Sequence, residues 1–80
     1  MQGSSGGFRN RSSRDVERLL RSFGFELVRR RRHDIYEGYR EGTLRAVTVP
    51  RNKASIPPKT LLTILAQAGI TKDEAREFWA

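Results

Sequence analysis

Two apolar stripes with helical spacing bracket three runs of β-forming residues in this chain, and that order leaves few folds open. Val16, Leu19, Leu20 and Phe23 recur at i, i+3, i+4 and i+7, which places them on one side of a helix over residues 12–23. Ser12 or Ser13 caps it, Asp15 and Glu17 sit in its first turn and Arg21 in its last, in keeping with the helix dipole. Gly24 follows at the position where a left-handed residue ends helices. Residues 25–29 then read as a strand. Residues 33–39 and 43–49 give two more, joined by Arg40-Glu41-Gly42, a hairpin signal in which Gly42 supplies a positive φ. Pro50 ends the third strand, because it has no amide to give a ladder. After a polar loop, Pro57 and Pro58 open a second helix with Leu61, Leu62, Ile64, Leu65 and Ala68 as its stripe and Gly69 as its end. Thr71 and Glu74 form a capping box for a short last helix, from which Ala75, Phe78 and Trp79 fold back toward the core.

The predicted order is therefore α-β-β-β-α with a further helical turn or two, an α+β two-layer sandwich. A three-stranded antiparallel sheet has one face covered by both amphipathic helices and the other left to solvent. Eighty residues supply one modest core, so a single domain is expected over residues 11–80. Residues 1–10, rich in Gly and Ser, have little to bury and lack the apolar stretch of a secretory signal; they are expected to form a disordered leader. No apolar run approaches the ~20 residues of a membrane span. The absence of cysteine excludes disulfides and thiolate sites and fits a reducing compartment, so a cytoplasmic location is expected.

Charge narrows the choice of partner. The net charge is +7, and thirteen of the sixteen cationic residues are arginine. A guanidinium pairs with phosphate in a bidentate way and stacks on bases, where lysine acts as a point charge. Eight cations lie between positions 29 and 53 (Arg29, Arg30, Arg31, Arg32, Arg40, Arg45, Arg51 and Lys53) against three acids, Asp34, Glu37 and Glu41. A polyanion is the first partner to consider, since neutralised phosphates release counterions. A solvated basic face, or one that meets an acidic protein, is the competing reading.

The inventory excludes many chemistries. One histidine and no cysteine cannot build a usual zinc site or a Cys-His pair, and there is no Gly-rich phosphate loop. RNA cleavage needs less, because the substrate carries its own nucleophile in the 2′-hydroxyl. A base for that proton or an acid for the leaving oxygen, with cations on the phosphate, is sufficient. His33 is the one side chain here that titrates near neutrality in its free form. On residue type alone it is either such a group or a strand histidine that only hydrogen-bonds to its surroundings. It shares a strand face with Ile35 and Tyr39, and irregular strand periodicity leaves open whether that face is core or solvent.

Several stretches together resemble the HicA family, the toxin halves of bacterial toxin–antitoxin pairs. They are Ser13-Arg14-Asp15-Val16 with Leu19-Leu20, Gly24-Phe25-Glu26-Leu27-Val28-Arg29, His33-Asp34-Ile35-Tyr36, Val47-Thr48-Val49-Pro50, and Ile56-Pro57-Pro58-Lys59-Thr60-Leu61 followed by Ile64-Leu65-Ala66-Gln67-Ala68-Gly69-Ile70. The resemblance spans residues 12–79. It implies a double-stranded-RNA-binding-like fold and a messenger-RNA endonuclease neutralised by a HicB-like antitoxin; with the residue inventory above, the chemistry is expected to need no cofactor or metal. It also implies that the histidine opening the second strand, His33, is catalytic. One departure stands beside it: family members usually place a glycine two residues before that histidine and a small residue after the glycine, where this chain has Arg31 and Arg32. Arg29, Arg30, Arg31 and Arg32 are expected to bind RNA phosphates, with Lys53 and Lys59 as auxiliary contacts. Tyr36 and Tyr39 are expected to pack rather than stack on bases, and Phe78 and Trp79 to face the core or the antitoxin. A non-catalytic module of the same fold, binding RNA or an antitoxin, is the alternative.

Overall fold

The computed structural model describes residues 8–80. The elements run α1 (Ser13–Ser22), β1 (Glu26–Arg30), β2 (His33–Arg40), β3 (Thr43–Pro50), α2 (Pro58–Ala68) and α3 (Lys72–Trp79). The strands form one antiparallel sheet in the order β1-β2-β3. Buried Val16, Leu19 and Leu20 of α1 and Leu61, Ile64, Leu65 and Ala68 of α2 pack with Tyr36, Val47 and Val49 of the sheet in one core. His33, Glu37, Tyr39, Leu44, Ala46 and Thr48, on the other side of the sheet, are exposed. The expected two-layer α+β arrangement is the one observed.

Local chemistry sets the helix ends. Ser12 is the cap of α1: its side chain accepts from the Asp15 N–H and the Asp15 carboxylate accepts from the Ser12 N–H. Ser13, the other capping candidate, donates instead to the Pro50 carbonyl at 2.6 Å and accepts from the Lys53 N–H at 3.0 Å, tying α1 to the loop after β3. At the far end of α1, Gly24 at φ +89° lets its own N–H reach the Arg21 carbonyl and the Phe25 N–H reach the Leu20 carbonyl, the paired bonds of a glycine-terminated helix. Phe25 is therefore consumed by the helix end. It lies one residue before β1, which starts at Glu26 and runs through Arg30, and its ring enters the core at 1% exposure. Between β2 and β3, Glu41 and Gly42 both have positive φ, the conformation whose twist suits a two-residue hairpin.

Four side chains depart from the sequence reading or extend it, the first being Tyr39, expected to pack and instead 68% exposed on the uncovered face. Leu62, counted in the apolar stripe of α2, is 40% exposed. Phe78 faces outward, whereas Trp79 packs partly against the core. Phe8 meets Trp79 edge to face with ring centroids 6.3 Å apart, so packing reaches three residues ahead of the boundary expected at residue 11. The rest of the expected leader, residues 1–7, lies outside the described residues.

Arg40 at the end of β2 fastens α3 to the sheet. Its Nη2 donates to both Glu74 oxygens at 2.8 Å, and the guanidinium stacks over Phe23 at 4.8 Å. Glu74 also accepts from Thr71 in the capping box of α3. The bond from the Thr71 backbone and then the Arg40 guanidinium hold the Glu74 carboxyl below its ordinary pKa. A lowered carboxyl pKa contributes stability above the unfolded-state value and loses it as pH falls through the folded one. Denaturation midpoints measured from pH 7 to 3 should thus fall toward acid in the parent and flatten in Glu74→Gln. Thr71→Ala should cost about 1 kcal/mol at neutral pH, the usual worth of a cap. Superimposable acid profiles would show that this contact contributes nothing.

Candidate active site

Arg31 and Arg32 make the turn between β1 and β2, and the Arg31 N–H donates to the His33 carbonyl at 3.1 Å. His33 is the first residue of β2, directly across from Pro50. Side chains alternate along a strand, so His33 shares its face with Ile35, Glu37 and Tyr39, while Asp34 shares the helix-covered face with buried Tyr36. The face left open by the sequence is thus the uncovered one. The imidazole is exposed, and among the described residues it makes no hydrogen bond or ion pair.

A β-bulge distributes the arginines. β1 pairs with β2 as Leu27 with Tyr36, Arg29 with Ile35 and Arg30 with Asp34, which leaves Val28 as an extra residue. Without it, Arg29 would turn toward the helices. With it, Val28 and Arg29 both lie on the open face, and Arg29 stands diagonally across from His33. Arg30 goes to the opposite face, where its Nε lies 3.5 Å from Asp34 Oδ1. Arg51 reaches the same oxygen at 3.4 Å and donates through Nη1 to the Arg31 carbonyl at 2.9 Å. Asp34 Oδ1 is buried and accepts no hydrogen bond, so both arginines hold it by charge.

Arg29, Arg30, Arg31 and Arg32, read from the sequence as one group, therefore divide among three places: the open face, the helix-covered face and the turn. Lys53 joins Arg30 on the lining of a cavity of about 400 Å³ at the start of α1, together with Arg14, Asp34, Tyr36 and Arg51. Burial, with the charges of Glu17 and Asp34 adding to it, raises the Tyr36 phenol above its ordinary pKa, so it stays a neutral O–H. Lys59 is exposed in the first turn of α2 and does not line that cavity. In the sequence Arg51 counts only among the eight cations of the basic tract, and Arg14 and Asp34 carry no binding role there. The available signal was register: Pro50 opposite His33 puts Arg51 beside the turn.

Residues 13–70 match the family described as HicA toxin of bacterial toxin–antitoxin. The chain belongs to the HicA toxin family. As a HicA member it is the toxin of such a pair, with an antitoxin as partner. No curated protein and no solved structure matches it. The HicA match begins with α1 and ends just past α2, so the β1–β2 turn and His33 lie within it and α3 outside. At that turn, where the resemblance in the sequence leads to the expectation of a glycine and a small residue, Arg31 and Arg32 take ordinary backbone conformations. Among the described residues, the non-glycine positions with positive φ are Asn10, Glu41 and Asn52, so neither arginine needs the range that only glycine has.

The far end of the HicA open face has a different character. Val28, Tyr39 and Leu44 are each more than half exposed there, and Glu26 and Glu37 stand directly opposite one another among them. Like charges in such a pair oppose sheet formation. Among the described residues, no helix is long and apolar enough to cross a membrane, and no group of three or more His, Cys, Asp or Glu side chains gathers as a metal site.

Proposed function

We propose that this toxin is an endonuclease of messenger RNA in the cytoplasm, with His33 as its general acid or base and a HicB-like antitoxin as its inhibitor. The observation that supports it is the setting of His33: an exposed imidazole on the uncovered sheet face, diagonal to Arg29 and adjoining a turn of two exposed arginines. In this reading the strand's 2′-hydroxyl attacks the adjacent phosphorus and the bond to the 5′ oxygen breaks, leaving a 2′,3′-cyclic phosphate and a 5′-hydroxyl. His33 takes the 2′ proton or supplies one to the leaving oxygen, and Arg29, Arg31 and Arg32 offset the charge gathering on the phosphate. Protein residues alone carry these roles, and the working unit is the single domain of residues 11–80 with Phe8 packed onto it. The apolar patch of Val28, Tyr39 and Leu44 shares the His33 face, so an antitoxin that docks there and extends along the face to its other end reaches the imidazole.

Purified protein incubated with single-stranded RNA and a chelator is expected to give products ending in 2′,3′-cyclic phosphate and 5′-hydroxyl. A strand carrying 2′-deoxyribose at the cleaved position should survive. Salt-sensitive binding without products would instead identify a non-catalytic binding module, and cutting of the deoxy strand would overturn the 2′-hydroxyl route.

A further inference from the structure

We infer that the cavity at the start of α1 is a phosphate-binding site, distinct from the His33 face and filled by a second phosphate of the same RNA strand. This rests on the RNA reading above. Four cations from separate parts of the chain line the cavity: Arg14 of α1, Arg30 of β1, and Arg51 and Lys53 of the loop after β3. Two carboxylates stand against them, Glu17 and Asp34. Glu17 is already bonded to Arg21 at 3.0 Å, and the single buried oxygen of Asp34 is shared between Arg30 and Arg51. Positive charge remains in excess.

The cavity is also held in shape before any ligand enters. The Ser13 N–H donates to the Lys53 carbonyl at 2.9 Å and the Lys53 N–H to Ser13 Oγ at 3.0 Å, which staples the loop onto the helix start. Arg51 is fixed at one nitrogen by the Arg31 carbonyl, so less of its freedom is lost on pairing with an anion. Arg14 points to the same ligand for another reason. It is a cation in the first turn of a helix, where the dipole disfavours positive charge, and an anion between it and Arg51 reverses that penalty.

Position in the fold selects RNA as the source of the phosphate. His33 and Asp34 are consecutive residues of β2, so the His33 face and this cavity are back to back through one strand, with Arg31 and Arg32 bridging them at the turn. A strand crossing that turn sets one phosphate beside His33 and another in the cavity. The bulge at Val28 serves both: alternation alone would turn Arg29 toward the helices and Arg30 outward, and the bulge exchanges them, so that Arg29 meets the His33 face and Arg30 the cavity.

The test uses the full chain and a single-stranded 2′-O-methyl RNA, which binds without being cut. Affinity is measured over a range of salt for the parent, Arg14→Gln, Arg51→Gln and, as a control of equal charge, Lys72→Gln on α3. Arg14→Gln and Arg51→Gln should each weaken binding roughly tenfold and reduce the slope of log affinity against log salt by about 0.7. Lys72→Gln should keep the parent slope. Parent-like slopes in both arginine variants, or an equal loss in all three, would overturn the site; Arg14→Gln decides if Arg51→Gln fails to fold. If the parent binds no RNA, the RNA reading itself fails, and inorganic phosphate then decides. Saturable shifts of the Ser13, Asn52 and Lys53 amide signals that Arg14→Gln abolishes would retain a site for free phosphate, and their absence would remove it.

Discussion

His33→Ala is expected to lower RNA cleavage by about 10²- to 10⁴-fold, the range that a general acid or base contributes, while leaving the fold and RNA affinity as they were. The ring is exposed and held by no hydrogen bond among the described residues, so its removal opens no cavity and strands no partner. The cost in stability should stay within about 0.5 kcal/mol. Affinity for an uncut 2′-O-methyl strand should persist, because the phosphate contacts in this reading come from arginines on both faces and the turn. A loss in turnover with binding intact separates a chemical role from a structural one. The same variant should relieve growth arrest when expressed. Were the purified variant to cut RNA as fast as the parent, or arrest to persist at equal expression, His33 would be a bystander and the acid or base would have to lie elsewhere.

The helices were legible in the sequence because their signals are local. The reciprocal bonds of Ser12 with Asp15 and of Thr71 with Glu74 act within one turn, and the apolar spacing of α1 needs no knowledge of the sheet. Misreadings arose where tertiary contacts decide. Leu62 fits a broad stripe by spacing, yet the buried face of α2 is narrower. Phe25 has strand character, but the glycine-terminated end of α1 uses its N–H. The bulge at Val28 is the largest case. Strict alternation along Leu27, Val28, Arg29 and Arg30 puts Arg29 under the helices, and only the pairing with β2 shows the opposite. For the same reason the face of His33 could not be read from its own strand, whose outward side carries Ile35 and Tyr39 among polar residues. The cavity lined by Arg14, Arg51 and Lys53 joins segments nearly forty residues apart, and no spacing rule reaches that far.

Gly38 shows the same limit and yields the largest expected effect on stability. It lies in the middle of β2, opposite Arg45, on the helix-covered face. Glycine weakens a strand interior, so a substitution there ordinarily gains. Here a Cβ would fall 2.7 Å from Cγ of the Phe25 ring and 2.8 and 2.9 Å from its two δ carbons. Phe25 is 1% exposed within the core, and a close-packed interior leaves such a ring no vacant direction. Gly38→Ala should therefore destabilise by about 1–3 kcal/mol through overpacking, which for a domain of this size lowers Tm by roughly 5–20 °C. The cause is separable from backbone effects by a second substitution. Phe25→Ala removes the Cγ and both δ carbons that the new methyl meets, so in that background Gly38→Ala should cost less by about 0.5–3 kcal/mol, the coupling expected of side chains in contact. RNA cleavage per folded molecule should be unchanged, since His33 lies at the other end of β2 and on its opposite face. An unchanged Tm in Gly38→Ala would mean that the ring yields at no cost, and strictly additive effects in the double variant would place the strain somewhere other than Phe25.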